Sequence, residues 1–72
     1  MMMAVYGGVA VVGQALVREG RKDEGLAALR RAQSARPRRP EAWLTLADGF
    51  EAAGDKPAAE ACRKAARAFL GP

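Results

Sequence analysis

Apolar residues in the second half of the chain recur at the spacing of one helical face. That stripe consists of Trp43, Leu46, Ala47 and Phe50. Gly54 follows the stripe, and a glycine there can end the helix because it adopts the left-handed backbone conformation without steric strain. Asp55 can then cap a second helix, whose first turn tolerates Pro57. The pattern therefore predicts two helices joined by a tight turn.

The first half of the chain follows the same template. Gly20 corresponds to Gly54 and can end a helix in the same way. We call the separation between these two glycines the repeat offset. Shifted back by it, the apolar stripe falls on Val9, Val12, Gly13 and Leu16. Asp23 is the candidate cap of the helix that follows. An internal repeat of this length predicts two copies of one helix–turn–helix unit.

The chain resembles the tetratricopeptide repeat family over nearly its whole length. The unit of that family has the same length as the repeat offset and reads W-x2-L-G-x2-Y, then A-x3-F, then P. The matching residues are Trp43, Leu46, Ala47, Phe50 and Ala59 in one copy, and Val9, Val12, Gly13, Leu16, Gly25, Leu29 and Pro37 in the other. The resemblance implies one domain, 1–72, with repeats at about 6–39 and 40–72. Arg63 departs from the pattern, since a large apolar residue is expected there.

The resemblance implies an all-α fold, in which two helix–turn–helix hairpins stack as a short right-handed α-solenoid. It also implies that the chain is a protein–protein interaction scaffold or adaptor. Trp43 is then a core residue that closes a helix against its neighbours, with contact to a ligand as the alternative.

In the resembled family the first helix of each repeat lines an inner groove. The groove residues that this implies are Ala10, Gln14, Val17 and Arg18 in repeat one, and Glu41, Leu44, Asp48 and Glu51 in repeat two. Three carboxylates against one arginine predict a preference for a basic or apolar segment of a partner protein. The lysine and asparagine clamp by which some members hold a terminal carboxylate is absent.

Two repeats are fewer than the three or so that a stable stack normally needs. The first helix is apolar on most of its sides, and no polar capping helix follows the apolar end of the second repeat. We therefore expect a homo-oligomer, most simply a homodimer through the first helix, or a subunit of a larger assembly. The predicted interface residues are Val5, Val9, Val11, Phe69 and Leu70.

The net charge is +4, from twelve Lys and Arg against eight Asp and Glu. A basic patch lies at the end of one predicted helix and in the following turn: Arg30, Arg31, Arg36, Arg38 and Arg39. Such a cluster favours a solvated helix end, since cations oppose the helix dipole there, or a protein contact. Nucleic acid or an anionic surface is the alternative, although the cluster has no aromatic residues for base stacking.

The chain has few of the residues that enzymes use in catalysis, so we expect no enzyme, no cofactor and no bound metal. Histidine is absent and Cys62 is the only cysteine, which leaves neither a usual general base nor a set of zinc ligands. No phosphate-binding glycine loop is present. Cys62 is most simply a small buried residue, and a thiol activated by Arg63 is the alternative.

The uncharged segment 1–17 is short for a membrane helix and is diluted by glycines. It also lacks the positive start of a signal peptide. A membrane-associated subunit therefore ranks last among the alternatives, and we expect a cytoplasmic protein.

Overall fold

The computed structural model describes the backbone of residues 5–71 and the side chains of residues 8–71. Four helices make up this part of the chain: α1 Val5–Arg18, α2 Lys22–Ser34, α3 Pro40–Ala52 and α4 Lys56–Ala68. No strand occurs between residues 5 and 71. The all-α prediction is confirmed.

Both hairpins turn with the same backbone geometry. Gly20 and Gly54 each adopt a φ of 87°, in the left-handed region that only glycine enters at no cost. In the first turn the Arg21 amide donates to the Leu16 carbonyl at 2.9 Å, and in the second the Asp55 amide donates to the Phe50 carbonyl at 2.9 Å. These bonds satisfy the orphan carbonyls at the helix end, as in a Schellman motif. The predicted helix ends are confirmed.

The helices that follow these turns are capped differently. Asp55 caps α4 as predicted, because its carboxylate accepts a hydrogen bond from the Ala58 amide at 3.2 Å. The prediction that Asp23 caps α2 is wrong. The N-cap is Arg21, which makes no side-chain cap bond, and Asp23 already lies in the first helical turn. Arg21 instead pairs with Glu24 at 2.7 Å.

The helices pack as two hairpins, with α1 against α2 and α3 against α4. Helix α3 also packs against both helices of the first hairpin, and this contact joins the two hairpins. The largest completely buried side chains are Phe50, Leu29, Leu46 and Cys62. Alanines complete the core cluster: Ala10, Ala32, Ala47 and Ala59.

Small residues allow the helices to approach closely. Gly13 of α1 and Gly49 of α3 both lie against the Leu29 side chain of α2. A Cβ atom at Gly13 would lie 2.8 Å from that side chain, and a Cβ atom at Gly49 would lie 2.7 Å from it. Gly25 of α2 faces the backbone of α1 in the same way. Gly13 and Gly25 stand where the repeat template prescribes small residues, whereas Gly49 stands at a position that the template leaves open.

Trp43 lies at the edge of the core. It is half-buried, and it packs against the core cluster. Its indole N–H donates to the carbonyl of the buried Pro37 at 2.8 Å, which ties α3 to the turn before it. The prediction that Trp43 is a core residue is therefore confirmed only in part, because the ring packs against the core cluster but is not fully buried.

Candidate functional site

The first candidate surface is the inner face, which we define as Gln14 and Arg18 of α1 together with Asp48 and Glu51 of α3. Helices α1 and α3 pack against each other. Arg18 is exposed and Gln14 is half-exposed on α1. Asp48 and Glu51 are exposed on α3. The inner face therefore presents two carboxylates and one arginine.

Two of the predicted groove residues on α1 contribute to the core instead. Ala10 is completely buried, so its assignment to an open groove is wrong. The physical reason is that α1 is covered by α2 on one side and by α3 on another, and the small Ala10 side chain lies within the resulting core cluster. Val17 is half-buried, and its methyl group lies close to Gly25 of α2.

Glu51 is exposed, but an ion pair within the chain makes it less available to a binding partner. Arg63 of α4 donates to the Glu51 carboxylate at 3.0 Å and to the Glu60 carboxylate at 3.3 Å. The hydrogen bond with Glu51 is the main cause that raises the pKa of Arg63. Among the ion pairs of residues 5–71, none involves Asp48. Asp48 is thus the carboxylate of the inner face whose charge is not compensated within this part of the chain.

A second candidate surface, the end groove, lies between α3 and α4 and has a volume of about 340 Å³. Its lining residues are Pro40, Glu41, Leu44, Arg63, Ala66, Arg67 and Leu70. Glu41 and Leu44 were expected in the inner groove, and the structure places them here beside α4. Four of the lining residues are apolar, and Leu44 is 49% exposed. The end groove is therefore an apolar trough with charged edges.

Sequence reasoning overlooked the part of the end groove that α4 supplies. The repeat offset could have identified these residues of α4. Applied to Leu29 and Ala32, which are buried in the first hairpin, it leads to Arg63 and Ala66 in the second.

A family model described as tetratricopeptide repeat matches residues 8–49, which is more than half of the chain. The chain belongs to the tetratricopeptide repeat family. The match spans α2 together with most of α1 and α3, the helices that form the contact between the hairpins. Neither the curated proteins nor the solved structures gave a match. Tetratricopeptide repeats act in general as scaffolds for protein–protein interaction, which makes exposed apolar surface of interest in this chain.

The predicted interface of this tetratricopeptide repeat protein is only partly exposed. Val11 is 55% exposed and Leu70 is 78% exposed, whereas Val9 is half-buried against the core. Phe69 follows α4 and is also exposed. The Val5 side chain lies outside the described side chains. Val12, which we did not include in the interface, is 53% exposed beside Val11.

All five arginines of the basic patch are exposed: Arg30, Arg31, Arg36, Arg38 and Arg39. None of them takes part in the ion pairs found among residues 5–71. Arg36 has a φ of 52°, in the left-handed region, and thus ends α2 where a glycine ends the other hairpin helices. What the basic patch binds stays a prediction.

Cys62 is completely buried in the core cluster. Burial is the main cause that raises the pKa of its thiol, and the neighbouring Arg63 opposes this shift without reversing it. The sulfur accepts a long hydrogen bond of 3.8 Å from the Gln33 amide. Its environment favours a structural thiol over an activated nucleophile.

None of the helices within residues 5–71 combines the length and the apolarity that crossing a bilayer requires.

Proposed function

We propose that this tetratricopeptide repeat chain is a non-enzymatic scaffold whose inner face binds a segment of another protein with basic side chains. The observation that carries the proposal is the exposed Asp48 carboxylate, which no described ion pair neutralises. Membership of the family supports the general role of scaffold. The proposed setting is the cytoplasm, and cell fractionation tests that assignment.

The charges of the inner face support a basic segment over an acidic one. A lysine or arginine of the partner can pair with Asp48 without breaking a contact inside the chain. Glu51 can contribute only in competition with Arg63, from which it already accepts a hydrogen bond. One exposed ion pair contributes ~0.2–1 kcal/mol, so Asp48 should alter affinity a few-fold and should not determine it alone.

Peptide binding tests this proposal. Short fluorescent peptides that alternate leucine with lysine are titrated against the chain, with glutamate in place of lysine as the matched probe. We expect the lysine peptide to bind more tightly. Asp48→Asn should weaken its binding about threefold, the size expected for one exposed ion pair. Asp23→Asn removes an equal charge from the first turn of α2 and should leave affinity unchanged.

Two results would contradict the proposal. Tighter binding of the glutamate peptide would show that the inner face does not set the charge preference. An equal loss of affinity from Asp48→Asn and Asp23→Asn would show that only the net charge of the chain matters.

The basic patch supports a second candidate function, the binding of nucleic acid or another anionic polymer. Its five arginines are exposed and take part in none of the ion pairs described for residues 5–71. Such binding should weaken steeply with added salt, because it releases counterions from the polymer. A titration with double-stranded DNA at several salt concentrations tests it. Binding that is absent at low salt would exclude this function.

A further inference from the structure

The contact between the two hairpins buries one face of α3 against the first hairpin. Gly49 lies on Leu29 of the first hairpin, where a Cβ atom would come within 2.7 Å of the leucine Cδ2. The residues on the same stripe of α3 are buried as well: Ala42, Leu46 and Ala53. This stripe of small and apolar side chains is how the second hairpin docks on the first.

The equivalent stripe of α1 has no partner within the described chain. Ala53, the C-cap of α3, has the charged Glu19 as its counterpart. Shifted back by the repeat offset, the other stripe residues Ala42, Leu46 and Gly49 become Gly8, Val12 and Ala15. All three are exposed, and Val12 is 53% exposed where its counterpart Leu46 is completely buried. Val11 adjoins this stripe and is 55% exposed. We call Gly8, Val11, Val12 and Ala15 the α1 face.

The end groove is the equivalent of the surface that receives α3. In the first hairpin Leu29 contacts α3 at Gly49, and the buried Ala10 and Ala32 belong to the same core cluster as Leu29. Their counterparts in the second repeat are Leu44, Arg63 and Ala66, and all three line the end groove. The α1 face and the end groove are therefore the two halves of one kind of contact, each left open at opposite ends of the molecule.

We propose that the α1 face of one copy docks in the end groove of a second copy, head to tail. The contact repeats the one that joins the two hairpins within a chain. The repeat offset identifies a second copy as the partner, because every molecule carries both the α1 face and the end groove that matches it. This proposal uses surfaces other than Asp48 and does not depend on the proposed peptide binding.

Arg63 is the main difference between the internal contact and the proposed one. It stands where Leu29 anchors the internal contact, and Glu51 and Glu60 hold its guanidinium by ion pairs of 3.0 Å and 3.3 Å. The proposed contact also has one more methyl group than the internal one, because Ala15 replaces the glycine found at position 49. The alkyl stem of Arg63 can cover apolar surface while its charge stays paired.

Head-to-tail contact has a consequence that a symmetric dimer lacks. Each copy keeps one open α1 face or one open end groove after binding, so association continues past the dimer unless a ring closes. The homodimer through the first helix, which the sequence suggested, would stop at two copies. Sedimentation equilibrium over a range of concentrations separates these two outcomes.

Charged substitutions on the two surfaces provide the decisive test. Val12→Glu blocks the α1 face, and Leu44→Glu blocks the end groove; both replace exposed side chains. We expect the unmodified chain to grow beyond a dimer with concentration, and each variant alone to remain monomeric. A 1:1 mixture of the two variants should form a heterodimer and nothing larger, since only one intact pair of surfaces remains. Ala27→Glu, on an exposed position of α2, should associate like the unmodified chain.

Circular dichroism shows whether each variant keeps its helices. If Val12→Glu loses them, Val11→Lys is used to block the α1 face instead. If Leu44→Glu loses them, Leu70→Lys is used to block the end groove. Formation of the heterodimer is itself evidence that both variants fold. A monomeric unmodified chain would overturn the proposal. Association of Leu44→Glu alone into dimers would also overturn it, and would favour the symmetric contact between first helices. A mixture that stays monomeric would show that the two surfaces do not recognise each other.

Discussion

Leu29 of α2 lies directly against Gly49 of α3. The leucine is completely buried, and the glycine provides the space that the leucine methyl groups occupy. The two residues belong to different hairpins, so their contact joins the two repeats. Its strength depends on the absence of a side chain at position 49.

Gly49→Ala should therefore destabilise the fold. The new Cβ would lie 2.7 Å from the Leu29 Cδ2 and 3.0 Å from its Cδ1. Overpacking of this kind costs ~1–3 kcal/mol, and the better helix propensity of alanine offsets about 1 kcal/mol of that cost. We expect the free energy of unfolding to fall by up to about 2 kcal/mol, the balance of these two effects. Urea denaturation measures the difference.

A double-mutant cycle with Leu29→Ala identifies the cause. If the leucine is what the new methyl group meets, the loss in the double variant should be smaller than the sum of the single losses by ~1 kcal/mol. Simple additivity would place the strain elsewhere.

Two other glycines should respond to alanine in opposite directions. At Gly25 a Cβ would lie 2.5 Å from a Val17 methyl group and 2.9 Å from the Gly13 carbonyl oxygen. The backbone of α1 cannot move aside as a side chain can, so the overpacking at Gly25→Ala should exceed the gain in helix propensity and destabilise the fold by about 1–2 kcal/mol. Gly8→Ala meets nothing within 4 Å and should stabilise it by up to about 1 kcal/mol. Thermal denaturation at low concentration compares the two variants, and equal effects would contradict this account of close helix approach.

Trp43→Phe separates the hydrogen bond of the indole from its packing. The variant keeps an aromatic ring but loses the bond of 2.8 Å to the Pro37 carbonyl, which is then left without that donor. We expect a loss of about 1–2 kcal/mol, against about 3–5 kcal/mol for Trp43→Ala. Chemical denaturation followed by circular dichroism measures both losses. A Trp43→Ala variant as stable as the unmodified chain would show that Trp43 does not close α3 against its neighbours.

Much of the fold could be predicted because the same pattern of apolar residues and helix-ending glycines occurs in both repeats. Gly20 and Gly54 take the same positive φ and end their helices as expected. Asp55 caps α4 with its own carboxylate, which is a local interaction that the sequence reveals. The cap of α2 could not be transferred, because the position equivalent to Asp55 is Arg21.

The surfaces were harder to predict than the helices. Ala10 was assigned to the groove by its position in the repeat, but exposure depends on which neighbour covers that position. Its counterpart Leu44 is 49% exposed, and Ala10 is completely buried. Arg63 was recognised as a departure from the template. Its ion pairs with Glu51 and Glu60 depend on the approach of α3 to α4, which helical spacing alone does not give.

Cys62 should make the stability of the fold depend on pH in the alkaline range. Burial raises the pKa of its thiol in the folded chain, so the folded state holds this proton to a higher pH than the unfolded state does. The contribution is complete below the unfolded thiol pKa of about 8.5, and it is lost as the pH rises through the folded pKa.

The matched control is Cys62→Ala, since repeat one carries Ala28 at the equivalent position. From about pH 7.5 to about pH 10, the unmodified chain should lose more of its free energy of unfolding than this variant loses. Parallel pH profiles would show that the thiol proton is not linked to folding. Alkylation of the native thiol should also be slow, and it should become fast in denaturant.

The main helix contacts all join helices that are adjacent or next but one along the chain: α1 with α2, α3 with α4, α1 with α3, and α2 with α3. Each contact closes a short loop, so little chain entropy must be lost before the contact forms. We expect folding on the microsecond-to-millisecond scale, with either hairpin able to form first. Rapid-mixing fluorescence of Trp43 would time this step, and a phase lasting seconds would contradict the expectation. A chain that refolds this quickly exposes its apolar helix faces only briefly, which limits the time available for aggregation.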